Sequence, residues 1–158
     1  MRGGKMLDRI IDHILVWHDK NGVSTTGYEL NNLRLNYSLY FIQANNYYKY
    51  GQPLIEEDFE CWAYGPIIPE VYWKFRIFGG NEIHFTESYM DTKELIHGPM
   101  GDDISAVLEM LMSFDNHYLN NVVRNQSPWL LGKREDIIHK ESIKEYFTKE
   151  VYERFINF

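Results

Sequence analysis

Residues 51–79, GQPLIEEDFECWAYGPIIPEVYWKFRIFG, punctuate this chain more strongly than any other stretch. Gly51-Gln52-Pro53 stops a helical pattern, because glycine accepts the left-handed conformation at a helix end and proline cannot continue the helix. Between Leu54 and Ala63, Phe59, Cys61 and Ala63 alternate with Asp58, Glu60 and Trp62, the pattern of a short strand. Tyr64-Gly65-Pro66 is predicted to turn the chain, since glycine tolerates positive φ and proline fixes its own. Pro69 suits the first position of a new helix, with Glu70 near the positive end of its dipole. Val71, Tyr72, Phe75 and Phe78 mark one face of that helix, and Gly79-Gly80 ends it.

On either side the chain reads as helix. Leu7, Ile10, Ile11, Ile14, Leu15 and Trp17 recur at helical spacing over 6–19, with Asp8, Asp12 and Asp19 opposite and Asn21-Gly22 as the stop. Ser24-Thr25-Thr26 offers caps for a second helix. Its face is Leu30, Leu33, Tyr37, Tyr40, Phe41, Ala44, Tyr47 and Tyr48, and it should run to Tyr50. Ile83, Phe85 and Tyr89 suit a short strand or a loop. His97-Gly98-Pro99-Met100-Gly101 breaks the chain. Asp102 or Asp103 then caps a helix whose face is Ile104, Val107, Leu108, Leu111 and Phe114. A break at Asp115-Asn116-His117 precedes another helical piece to Val123, and Ser127-Pro128-Trp129 opens a short turn. A last helix is expected from Lys140 to Ile156, with Ile143, Tyr146, Phe147, Val151, Tyr152 and Phe155 inward. The expected fold is mainly α: one compact multi-helix domain over 1–158 with a small two- or three-stranded β element. Residues 1–5 are expected to form a loose tail.

Composition excludes several function classes. The formal net charge is −7, and the basic residues at Lys133-Arg134 and between Lys140 and Lys149 are interrupted by acids, so no footprint for a phosphate backbone emerges. The one cysteine, Cys61, rules out an internal disulfide and a cysteine-based zinc ribbon. No secretory leader pattern is evident, and the apolar run at 10–17 is broken by Asp12 and His13, so neither export nor a membrane span is predicted and a cytoplasmic protein is the default.

Catalytic and cofactor motifs are missing too. His13, His18, His84, His97, His117 and His139 stand in no metal-binding frame and read as surface or cap residues. Cys61 has no histidine or helix N-terminus beside it in sequence, so a buried, inert thiol is expected. Gly79-Gly80 and Gly98–Gly101 lack the lysine of a phosphate loop, and no nucleophile elbow occurs. Glu56-Glu57 and Asp102-Asp103 are neighbours in sequence and need not face each other. No cofactor and no metal are expected.

The aromatic corner remains. Tyr and Trp combine apolar area with a polar handle, so Trp62, Tyr64 and Tyr72 serve either to pack a junction of helices or to anchor a partner. The segments LNYSLYFIQA (35–44), YGQPLIEEDFECWAYGPIIPEVYWKF (50–75), SPW (127–129) and SIKEYF (142–147) together resemble the SocA-like, or Panacea-domain, family of antitoxins and phage-associated proteins. The resemblance rests on Leu39, Tyr40, Phe41 and Gln43; on Gly51, Pro53 and Leu54; on Glu60, Trp62, Tyr64, Gly65, Pro66, Pro69 and Tyr72; and on Pro128 and Trp129. Two positions depart from the family pattern. Tyr37 stands where a lysine is usual, and Arg124-Asn125 replaces a Thr-His pair.

The resemblance implies a protein that neutralises a cognate toxin, encoded nearby, by direct binding, or that hands the toxin to an AAA+ protease as an adaptor. It implies that Trp62, Tyr64, Gly65, Pro66, Tyr72 and Trp129 are contact anchors or the frame that presents them. Two other classes stay open at this point. One is a small phage-derived enzyme or ligand-binding domain using Gln43, Glu60, His117 and Arg124. The other is an operon autorepressor, which needs a basic recognition helix that the sequence does not display.

Overall fold

The computed structural model describes residues 5–22 and 25–148. Its element order is α1 (Met6–Asn21), α2 (Asn32–Tyr50), β1 (Phe59–Trp62), β2 (Gly65–Ile67), α3 (Pro69–Lys74), a 3-10 turn (Arg76–Phe78), α4 (Glu87–Met90), α5 (Pro99–Leu111), α6 (Asn116–Arg124), α7 (Ser127–Leu130), β3 (Ile137–Ile138) and α8 (Lys140–Tyr146). The mainly α reading with a small β element therefore holds. The strands form one antiparallel sheet in the order β2-β1-β3.

The second helix organises the rest. It packs against α1, α3, α5, α6, α8 and β2, so it is surrounded on all sides and has no solvent stripe. Leu35, Leu39, Tyr40, Phe41 and Ala44 are buried on it, and so are Asn32, Arg34, Asn36, Ser38 and Gln43. Buried polar groups are costly unless bonded, and each of these residues finds partners, Arg34 Nε being the atom left without one. Ser38 Oγ returns to the Arg34 carbonyl at 2.7 Å. The Arg34 guanidinium donates to the Leu111 carbonyl at 2.7 Å, the Phe114 carbonyl at 3.0 Å and Asn116 Oδ1 at 2.8 Å. A cation there satisfies the last carbonyls of α5 and complements its dipole.

The boundaries depart from expectation where a local bond overrides the pattern. α2 begins at Asn32, later than the caps at Ser24–Thr26 suggested, because Asn31 Oδ1 accepts from the Arg34 amide at 2.8 Å. The end at Gly51 is as read, with φ at 70°. Asp102 and Asp103 are not caps: α5 starts at Pro99 behind Gly98, and Asp103 instead pairs with Lys49 at 2.6 Å and accepts from the Tyr50 hydroxyl. Asp115 does cap α6, accepting from the Tyr118 amide at 2.7 Å. Residues 83–86 are loop rather than strand, followed by the single turn of α4. α8 ends at Tyr146, with Phe147 at its C-cap. The inward roles expected of Val151, Tyr152 and Phe155 lie outside the described residues.

His13 is buried, not at the surface as expected. Its Nδ1 accepts from the Ile96 amide at 2.9 Å, which leaves Nε2 to donate to Ser105 Oγ at 2.9 Å. Burial holds its pKa below the usual histidine value, with the neighbouring His97 adding to the shift.

Candidate functional site: an aromatic corner held by its backbone

β1 and β2 form a hairpin with Trp62 opposite Gly65, so Ala63 and Tyr64 make the turn. Gly65 and Pro66 thus belong to a strand and not to the turn expected of them. Proline is tolerated there because β2 is the sheet's edge. Gly65 has φ at 121°, and a Cβ at this position would lie 3.0 Å from Val123 Cγ2 and 3.1 Å from the Tyr37 ring. Conformation and space both call for glycine.

The hairpin and α3 are fixed to α2 through main-chain atoms. The Tyr37 hydroxyl donates to the Tyr64 carbonyl, and Asn120 Nδ2 donates to the same carbonyl at 2.8 Å and to the Tyr37 oxygen at 2.7 Å. Asn36 Oδ1 accepts from the Ile68 amide at 3.0 Å, and Asn32 Nδ2 donates to the Tyr72 carbonyl at 2.9 Å. Gln43 takes three backbone groups: its Oε1 accepts from the amides of Leu54 and Ile55, both at 2.9 Å, and its Nε2 donates to the Ile55 carbonyl at 2.9 Å. Burial pushes the Tyr37 hydroxyl up to about 12, so it stays a donor at neutral pH.

Trp129 belongs to this frame. It is 6% exposed, and its indole N–H donates to the Trp62 carbonyl at 2.7 Å. The Arg134 guanidinium lies 3.5 Å from its ring centroid and that of Arg124 lies 5.3 Å away. Arg134 also donates to Cys61 Sγ. Burial raises the Cys61 pKa and Arg134 opposes the rise only in part, and the thiol is buried as the sequence suggested.

The outer side of the corner carries rings. Tyr64 is 48% exposed and stacks on the half-buried Tyr72 with centroids 6.0 Å apart and planes inclined by 16°. Trp62 meets Tyr72 edge-on at 5.1 Å and Trp73 at 6.2 Å. Trp73, 53% exposed, also meets Tyr72 edge-on at 5.7 Å, and Arg76 lies over its ring. Sequence reasoning missed Trp73. Only its place next to Tyr72 on a helix with one buried face could have flagged it, since Val71 and Phe75 define that face and leave position 73 outward.

The chain matches the family described as antitoxin SocA-like, Panacea domain, over residues 35–130. It belongs to that family. The matched span takes in α2 from its second turn on, the hairpin, α3 and Trp129, and so contains the rings of the corner and most of its frame, Asn32 lying just outside it. No curated protein and no solved structure gave a match. In this SocA-like chain Tyr37 and Arg124, two positions singled out in the sequence, both lie at the corner. Tyr37 holds the hairpin turn, while Arg124 donates to Asn120 Oδ1 at 3.3 Å and lies beside Trp129.

The four polar residues considered for a catalytic or ligand site each bond a different neighbour. Gln43 is consumed by Leu54 and Ile55, Glu60 bonds Trp62, His117 bonds Asn121 and Arg124 bonds Asn120. No two of them share a partner. Among the described residues no group of three or more His, Cys, Asp and Glu side chains is placed to hold a metal ion, and no helix is long and apolar enough to cross a membrane.

Proposed function

We propose that this SocA-like protein is the antitoxin of a toxin encoded beside it, and that it binds that toxin through the ring face of Trp62, Tyr64, Tyr72 and Trp73. Gly65, Pro66 and Trp129 serve as the frame of that surface. The observation that carries the reading is the pairing of half-exposed, mutually stacked rings with a backbone gripped from behind. Tyr and Trp bury large areas on binding at small cost in conformational entropy, and rings already held by neighbours lose still less. Neutralisation is then stoichiometric, by covering the toxin's active surface. Delivery of the bound toxin to an AAA+ protease is the second mode, favoured only by the family resemblance.

Co-expression with the product of the adjacent gene tests the first statement: growth is restored by the wild-type chain. The double variant Tyr64→Ala/Trp73→Ala should lose rescue and co-purification while keeping its urea midpoint, each ring contributing about 2 kcal/mol as a binding hot spot. Rescue by the double variant at wild-type level would refute the surface. Toxin half-life in the same cells separates the two modes, because blocking leaves it unchanged or longer and delivery shortens it.

A further inference from the structure

The ring face includes a carboxylate with unused capacity. Glu60 lies two residues before Trp62, on the same side of β1, and its Oε1 accepts from the Trp62 indole N–H at 3.0 Å. Its Oε2 has no partner among the described residues. Basic residues of α3 and its surroundings have other partners: Lys5 pairs with Glu70 at 2.7 Å and Glu57 at 3.4 Å, Lys74 pairs with Asp8 at 3.9 Å, and Arg76 donates to the Trp73 carbonyl at 2.6 Å, its guanidinium 5.9 Å from that ring's centroid. The faces of tyrosine and tryptophan rings are negative, and donating its N–H to a carboxylate makes the Trp62 indole more so.

We infer that the corner receives a lysine or arginine side chain of the partner protein, its stem laid on the rings of Tyr64, Tyr72 and Trp73 and its charge directed at Glu60 Oε2. This rests on the reading that the ring face is the toxin-binding surface. Three kinds of partner group can be compared. An apolar group would strip water from Oε2 and leave it unpaired, at the full desolvation cost of a charged atom. An acidic group would meet Glu60 and the ring faces with the same sign. A cation gains both the carboxylate and the π faces, and its methylenes cover the rings. The net charge of −7 steers a basic patch toward the chain from a distance.

Argininamide is the probe. Added to the isotopically labelled full chain, it should shift the indole N–H signals of Trp62 and Trp73 and spare those of Trp17 and Trp129. In Glu60→Gln, whose amide oxygen still accepts from Trp62, the affinity read from those shifts should fall about two- to fivefold. Acetamide at equal concentration should shift neither signal. Absence of an argininamide response, or an equal one in Glu60→Gln, overturns the inference. With the purified toxin, Glu60→Gln should weaken affinity and flatten its salt dependence. If Trp73→Ala weakens toxin binding and Glu60→Gln does not, the cation inference fails while the surface stands. If neither variant weakens it, the surface itself is wrong.

Discussion

The buried Trp129 ring donates its indole N–H to the main-chain carbonyl of Trp62, 67 residues away in sequence, at 2.7 Å. A ring in the interior thereby fixes the backbone of a ring at the surface. Trp129→Phe keeps much of the apolar volume and removes the indole donor from the Trp62 carbonyl, which stays opposite Gly65 in the hairpin. It should cost about 0.5–1.5 kcal/mol in urea unfolding, and Trp129→Ala about 3–5 kcal/mol. Both should weaken toxin binding as well, although Trp129 itself is nearly inaccessible.

Tyr37 makes the fold sensitive to alkali. Its pKa is raised to about 12 by burial, against 10.0 for a free tyrosine, and burial also raises that of Tyr40 well above the usual tyrosine value. The unfolded chain therefore releases these protons first. Stability should be intact below pH 10 and fall as pH rises from 10 through 12. Tyr37→Phe should be less stable at pH 7 by about 1 kcal/mol, with a shallower decline above pH 10. Urea midpoints measured across that range check both statements.

His18 sets a limit on the acid side. Burial, aided by the charge of Arg34, lowers its pKa to about 4 from 6.5. The folded chain holds it neutral, so its contribution is complete above pH 6.5 and is lost as pH falls toward 4. His13, also lowered by burial, acts in the same direction. His18→Phe keeps a ring that cannot charge and should flatten the stability profile between pH 6.5 and 4 relative to wild type, read from thermal midpoints at fixed ionic strength.

Gly101 tolerates no side chain. A Cβ there would lie 1.7 Å from the Ile96 carbonyl oxygen, far inside van der Waals contact with an atom that cannot rotate away. The segment carrying Ile96 also supplies the amide that His13 accepts. Gly101→Ala should cost more than about 3 kcal/mol, well beyond an ordinary surface change, and should appear mainly in the insoluble fraction. A control, Gly80→Ala, has nothing within 4 Å of the added carbon and should express normally.

Periodicity carried the helices, because apolar side chains at helical spacing have one way to be buried. The hairpin's inner strand was legible from the alternation of Phe59 and Cys61 with Glu60 and Trp62. What stayed hidden has physical reasons. The start of α2 was set by Asn31, one of several capping residues between 24 and 32 that the sequence alone does not rank. β3 consists of Ile137 and Ile138 alone, too short for any alternation to register. Pro66 looked like a turn residue, yet an edge strand accepts it. At the corner, Trp62, Tyr64 and Tyr72 were visible as residue types, but which rings face outward depended on tertiary contacts. Trp129 went inward by bonding a distant carbonyl, and Trp73 went outward because Val71 and Phe75 took the core.

Tyr37, Asn120, Asn36, Asn32, Gln43 and Trp129 all hold this corner by peptide groups, and none of these bonds uses a ring of Trp62, Tyr64, Tyr72 or Trp73. Scaffold and specificity are therefore written on separate atoms. The rings can be exchanged for other side chains without loosening the grip, so one architecture can be retargeted by a handful of substitutions on its outer face. A library randomised at those four positions, selected for growth against a non-cognate toxin, would use the fold as an interchangeable mount.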